Sequence, residues 1–302
     1  MPRHFPDSAT NMILSFHPCI EGDVNIICAG RPPGDEDVGA IKEARAIILP
    51  QGVTEQLYRL CRTYCPHVFP NYDARFDYSG KLGQIRLFQE NKVSFPPTVV
   101  FSDINTYREA FEKGKSYTLP FAFPCVLKLN EGGEGEGVFL LKNQKDWETA
   151  LGNVAQAERS GQKGFIVQAH IPNEGRTLRV VVIGKQFFSY WRIQEDKDVF
   201  QSNLRTGAHI DHNLSPELQE AAIGAARKFC RSTGINLAGF DFLFPQDAAE
   251  PQPLFLEINY FFGRRGLGGS FKFYELLEKA VEEWIVSNKM SIVRSPLHKI
   301  SN

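Results

Sequence analysis

The sequence predicts an α/β (α+β) architecture of two or three packed units, on three observations. The chain has 302 residues, more than a single core normally serves, and 42% of them are apolar, so large cores can form. Short β-branched runs alternate with segments whose apolar residues recur at helical spacing. Towards the C-terminus, two apolar strand-like runs carry oxygen-bearing side chains where a strand in a plain core carries none.

In chain order, residues 24–29 and 46–49 read as strands, and residues 54–64 as a helix with Leu57, Leu60 and Cys61 on one stripe. Pro66, Pro70 and the polar run 71–80 read as a boundary. A helix over 81–90 leads through Pro96 and Pro97 to a strand over 98–101 and a helix opening at Asp103 or Asn105. Residues 124–129 read as the next strand. A glycine-rich stretch over 132–137 follows, then a strand over 138–142, a helix over 147–156 and a strand over 165–169. Gly184 and Lys185 make a two-residue turn between strands over 178–183 and 186–193. Ser215 caps a helix with Pro216 at its first position and Leu218, Ala222, Ala225 and Phe229 on one stripe, ending at Gly234. Strands over 237–244 and 254–260 flank a proline-rich loop, a helix covers 275–286, and residues 287–302 read as a poorly held tail.

Charge is balanced at 34 basic against 35 acidic residues, which argues against a nucleic-acid or membrane surface and makes any anion site local. The N-terminal residues lack the apolar core of a signal peptide, and no run approaches the roughly 20 apolar residues of a membrane span; the expected location is cytoplasmic. Cys19, Cys28, Cys61, Cys65, Cys125 and Cys230 show no paired CxxC spacing and read as buried thiols. His209 and His212 bracket Asp211 in what reads as a loop without metal.

Chemistry concentrates in two places. Because strand side chains alternate, Glu257 and Asn259 share a face and Leu256 and Ile258 point the other way. Antiparallel pairing across the intervening loop places Asp241 opposite Glu257 to within about one residue. Two carboxylates and an amide then converge, and hard oxygen donors of this kind hold Mg²⁺ while leaving room for phosphate oxygens. A solvated strand face is the competing reading. Upstream, the stretch from Pro124 to Val138 runs strand, loop, strand, with Gly132, Gly133, Gly135 and Gly137 in the loop and Lys128 on the first strand. Glycines let backbone amides approach a polyphosphate, and the stretch lacks both the GK[ST] of a P-loop and a GxGxxG leading into a helix. It reads as a lid, although a hairpin tip has the same composition.

Lys81, Lys128 with its glycine loop, Val167-Gln168-Ala169-His170-Ile171, Arg179, Ser202-Asn203 and Asp241…Glu257-x-Asn259 occur in the order and approximate spacing of the ATP-grasp superfamily. Over about residues 75–285 the sequence most resembles its RimK-like branch, whose members join an amino acid to a carboxylate. The resemblance implies an ATP-grasp fold of two α+β subdomains clasping a nucleotide behind a small α/β domain. Its expected divisions are 1–78, the N-terminal domain; 79–171, the central subdomain with the lid; 172–290, the C-terminal subdomain with the metal site; and 291–302, the tail. It further implies that Lys81 and Lys128 meet ATP phosphates, that the four lid glycines close over the β- and γ-phosphates, and that Gln168, Ala169, His170 and Ile171 hold adenine through their backbone. Asp241, Glu257 and Asn259 are implied ligands of two Mg²⁺ ions, with Mn²⁺ as a substitute, and Arg179 and Asn203 are implied to face the triphosphate and the reacting carboxylate.

Three departures stand out. Ala169 replaces a common Glu, Thr177 replaces an acidic residue on the ribose side, and the family's short Pro-Gly turn gives way to the stretch from Tyr260 to Ser270 with Arg264 and Arg265. The two arginines read either as a clamp on an acyl phosphate or anionic substrate, or as a surface turn. Phe261, Phe262, Phe271, Phe273 and Tyr274 read mainly as core. The expected function is an ATP-dependent carboxylate–amine (or thiol) ligase working through an acyl phosphate on an amino acid or peptide, with homo-oligomerisation open. A small-molecule phosphotransferase and a non-catalytic nucleotide-binding module fit the same motifs. The first eighty residues carry no motif that names a substrate.

Overall fold

The structure is a computed structural model that describes residues 12–28, 30–112, 121–132, 135–196, 200, 207–246 and 250–290. Asn203, Gly133, Ala29 and the tail 291–302 lie outside the described residues. Among the described residues, strands fall into three sheets. The first is parallel, with the order β2-β1-β3-β4. It is built from β1 (Ile13–Ser15), β2 (Val24–Asn25), β3 (Ala46–Ile48) and β4 (His67–Phe69). Helix α1 (Asp35–Glu43) joins β2 to β3, and α2 (Glu55–Tyr64), capped by Thr54 Oγ1 accepting the Leu57 N–H, joins β3 to β4. The sequence reading placed neither β1 nor β4, and the strand it read over 24–29 is two residues long, Val24–Asn25. The 46–49 strand and the 54–64 helix form as expected.

Helix α3 (Asp73–Asp77) and α4 (Gly80–Glu90) lead into a second, antiparallel sheet in the order β5-β8-β6-β7. Its strands are β5 (Thr98–Phe101), β6 (Cys125–Leu129), β7 (Val138–Leu141) and β8 (Phe165–Ala169). Helices α5 (Ile104–Glu112) and α6 (Gln144–Arg159) cover it around Phe101, Leu127, Trp147, Val154 and Phe165, and Trp147 Nε1 donates to Tyr107 Oη at 3.0 Å.

The third sheet is antiparallel, in the order β11-β10-β9-β12-β13. It comprises β9 (Arg176–Ile183), β10 (Gln186–Ile193), β11 (His209–Asp211), β12 (Leu237–Leu243) and β13 (Leu254–Asn259). The Gly184-Lys185 turn forms as expected, pairing Ile183 with Gln186. His209 to Asp211, read as loop, is instead the edge strand β11 against β10. One face of this sheet, with Leu178, Val180, Phe240 and Phe242, packs on α7 (Pro216–Thr233) through Ala222, Ala226 and Phe229. Pro216 opens α7 as expected, but Ser215 makes no side-chain cap; its carbonyl accepts the Leu218 and Gln219 N–H groups. The other face is apolar only at one end. There Val181, Ile183 and Leu237 join the N-terminal sheet and α8 (Ser270–Ser287) in one core with Phe273, Leu277 and Val281. Helix α8 starts five residues before the expected position, because Gly268 and Gly269, at φ +89° and +95°, end the preceding loop. No helix among the described residues is long and apolar enough to cross a membrane.

Candidate active site

The remaining half of that second face is polar, and register explains why its groups meet. Directly opposed residues of antiparallel strands share a face. Asp241 lies opposite both Glu257 on β13 and Arg179 on β9, and Arg179 lies opposite Tyr190 on β10. Asn259 is opposite Gly239. The absent side chain at Gly239 is required: a Cβ there falls 3.0 Å from Arg179 Cδ and 3.1 Å from Phe262 Cβ, so the arginine lies across the glycine. The expected convergence of Asp241, Glu257 and Asn259 is therefore present. One detail is corrected. A register shift at Asp241/Phe242 leaves Leu256 unpaired, and it lines the cleft beside Glu257 instead of pointing away.

Asp241 is the electrostatic centre. Arg179 engages it with Nε and, at 2.9 Å, with Nη2, Arg192 Nη2 lies 2.8 Å from Oδ1, and Asn259 Nδ2 donates to Oδ2 at 3.1 Å. Burial pushes the Asp241 carboxyl up, but the two guanidinium groups outweigh it and hold it below the usual range. Arg192 and Tyr190 escaped the sequence reading. Among the described residues, Arg192 Nε is buried without a hydrogen-bond partner, and so is the Thr177 Oγ1 on the residue opposite it. Both residues line the cleft.

Across a cleft of about 230 Å³ stands the second sheet, contributing Val126, Lys128, Gly135, Val138 and the run Gln168 to Ile171. Lys128 is buried; desolvation is the largest influence and, with Lys81 nearby and against Glu257 and Asp241, brings its ammonium down to about 8. Gln168 Nε2 is held by Thr98 Oγ1 at 2.9 Å. Gly132, Gly135 and Gly137 all have positive φ, and a Cβ on Gly132 falls 2.9 Å from the Glu136 carbonyl, so the backbone at Gly132 needs glycine.

Lys81 does not line the main cleft. It sits beside a small void shared with Lys128 and Glu257, and its Nζ donates to the Gly132 carbonyl at 3.0 Å. Asn130 fixes the helix that carries it, accepting the Lys81 N–H at its backbone oxygen (2.9 Å) and the Leu82 N–H at Oδ1 (3.0 Å). Three residues on, Gln84 clasps the backbone of Ile258, between Glu257 and Asn259. Arg264 and Arg265 are not among the cleft residues either. Arg264 stacks on Phe273 and Tyr274, 4.4 and 4.7 Å from the ring centres, and Arg265 is exposed in a 3₁₀ turn. Of the aromatic residues near them, Phe262 and Phe273 are core, whereas Phe261 is exposed and lines the cleft.

Two sheets facing each other across a cleft with a glycine lid and a carboxylate–amide edge define an ATP-grasp fold. Solved structures agree. A RimK domain protein ATP-grasp from Sphaerobacter thermophilus superposes with a TM-score of 0.58 at 15% identity, over 89% of this chain and 98% of that one. A D-alanine-D-alanine ligase from Helicobacter pylori gives 0.54 at 18% identity, over 80% and 70%. The chain belongs to the RimK-like ATP-grasp domain family, whose model matches residues 79–271. Among curated relatives, a "Probable alpha-L-glutamate ligase" of Xanthomonas campestris pv. campestris is 35% identical over 148 residues, 48% of this chain and 47% of the relative. A "Probable alpha-L-glutamate ligase 2" of Shewanella denitrificans is 33% identical over 146 residues, 48% and 44%. The match thus spans about half the length of these relatives.

Proposed function

We propose that the protein is an ATP-dependent carboxylate–amine ligase that works through an acyl phosphate on an amino acid or peptide. The row Glu257, Asp241, Arg179, with Asn259 beside it and Lys128 across the cleft, carries the proposal. The donor set suits Mg²⁺, two ions or Mn²⁺ in their place, because all three side chains offer hard oxygens and Glu257 makes no hydrogen bond with the described residues. Asp241, Glu257 and Asn259 would hold the metal, which when bound offsets charge on the phosphates.

In this reading Lys128, and Lys81 once released from Gly132, bind phosphate oxygens, and the Gln168 to Ile171 edge receives the base. The substrate carboxylate oxygen attacks the γ-phosphorus in line as the bond to the β–γ bridging oxygen breaks, releasing ADP. The amine then attacks the acyl carbon, phosphate leaves, and the amine gives up its proton. Arg192 and Thr177, which line the cleft, orient bound substrate. Lid closure keeps water from the acyl phosphate.

The test is a screen of carboxylate and amine pairs for ADP release with mass analysis of products. Release that needs both partners and gives an amide supports the ligase. A stable phosphorylated product from one substrate indicates a phosphotransferase instead, and nucleotide binding without turnover indicates a binding module.

A further inference from the structure

We propose that β5, an edge strand of the second sheet, pairs with β5 of a second copy of this chain across a two-fold axis at Val99, joining two four-stranded sheets into one of eight. Register decides which backbone groups are available. Opposed residues of an antiparallel pair alternate between bonded and unbonded, and the Ala169 N–H donates to the Pro97 carbonyl at 2.8 Å, so Pro97, Val99 and Phe101 turn their backbone groups to β8. Thr98 and Val100 turn theirs outward. Neither N–H and neither carbonyl of these two residues meets a hydrogen-bond partner among the described residues. The edge at β13 differs: Gln84 takes both backbone groups of Ile258, and the Phe255 N–H donates to the Ser94 carbonyl at 2.9 Å.

The pattern is its own complement. A two-fold at Val99 sets Thr98 of each copy opposite Val100 of the other, and both are bonded pairs, so four N–H···O bonds form with no change to the ladder between β5 and β8. The surroundings favour a copy over a foreign peptide. Beside β5 lies a groove of about 620 Å³ against α4, which leaves room on that side of the strand. It carries both signs of charge: Asp77 and Arg86 line it, and Glu90 lies 3.6 Å from Arg86 Nε. A surface that meets its own image needs both signs, because a groove of one sign repels its copy. Leu82 and Val100 add apolar area, and Val100 is 40% exposed. The strand also lacks the devices that keep sheet edges apart. No charge and no bulge interrupts Thr98–Phe101, and Pro96 and Pro97 stand before it. The inference concerns assembly and is independent of the ligase reading.

The test is analytical ultracentrifugation of the full chain over a range of concentrations, in which the wild type should show a monomer–dimer equilibrium. Val100→Pro removes an outward N–H and spares the ladder with β8, so two of the four bonds between copies are lost and the dimer dissociation constant should rise about ten- to thirty-fold. Val100→Lys places like charges across the axis and should weaken the dimer in a way that added salt partly restores. In a Cys19→Ser background, which removes an exposed thiol, Val99→Cys should give a disulfide-linked dimer with oxidised glutathione, since unbonded opposed residues bring their Cα atoms to about 4.5 Å. Thr149→Cys, exposed on α6, should not. A wild type that is monomeric at every concentration, a dimer that both Val100 variants leave intact, or a dimer that Val99→Cys does not trap would overturn the proposal. If Val100→Pro does not fold, the salt response of Val100→Lys and the trapping at Val99 decide.

Discussion

Gln84 holds Ile258 by both backbone groups: its Nε2 donates to the Ile258 carbonyl at 3.0 Å, and its Oε1 accepts the Ile258 N–H at 2.9 Å. Ile258 is the residue between Glu257 and Asn259 on an edge strand, so a side chain from α4 supplies the partner that a further strand would give.

Gln84→Ala should therefore weaken Mg-nucleotide binding by roughly ten- to thirty-fold, from two hydrogen bonds of about 1 kcal/mol each, with the fold intact. Gln84→Glu keeps the shape but loses the donor when ionised. Its defect should shrink as pH falls and the carboxyl protonates, a recovery that nucleotide titrations at several pH values can read. A pH-independent defect would remove the clasp from the explanation.

Asp241 and Glu257 should separate stability from activity. Asp241→Asn leaves Arg179 and Arg192 buried against a neutral group and should cost about 3–5 kcal/mol in chemical denaturation, besides activity. Glu257→Gln breaks no ion pair among the described residues, though it removes a charge that compensates buried Lys128, so it should abolish turnover while costing less stability than Asp241→Asn. Equal stability losses would contradict the charge arrangement described.

Metal should enter with its nucleotide. Arg179, Arg192 and Lys128 outnumber Asp241 and Glu257 around the cleft, so a lone dication meets a net positive site, whereas a triphosphate reverses the sign. Calorimetry should detect little uptake of Mg²⁺ alone and clear uptake with an ATP analogue. Tight binding of the free ion would refute this ordering.

His17 should make the protein acid-sensitive. Burial, with Arg264 nearby, lowers its imidazole from 6.5 to about 4, so below pH 6.5 the unfolded chain takes up a proton that the folded one refuses. Stability from this group is complete above pH 6.5 and is lost as pH falls towards 4, by about 3 kcal/mol. In His17→Gln, unfolding free energies measured across that interval should fall less steeply than in the wild type.

Much of the site was legible because β-structure is periodic. The spacing of Glu257 and Asn259 and the loop length to Asp241 put the three together, and the two-residue turn at Gly184-Lys185 fixed the β9–β10 register. The same turn, counted outward, puts Arg192 opposite Thr177, so that signal was present and unread. Leu256 was not legible, since a bulge breaks the alternation on which the reading depends. Gln84 was hidden for another reason, as were the contacts of Arg264, a residue the sequence did single out. Their partners, Ile258 and Gln51, lie 174 and 213 residues away, and only the packing of separate elements brings them together.

Asn130 sits at the root of the glycine lid and grips the opening turn of α4, fitting against Gly80, where no side chain intrudes. Through Gln84 the same helix braces β13. Lid root, helix and the strand carrying Glu257 and Asn259 are thus linked through one set of hydrogen bonds. If the proposed ligase draws Lys81 off Gly132 when it binds phosphate, sealing the chamber and aligning Glu257 and Asn259 become one motion.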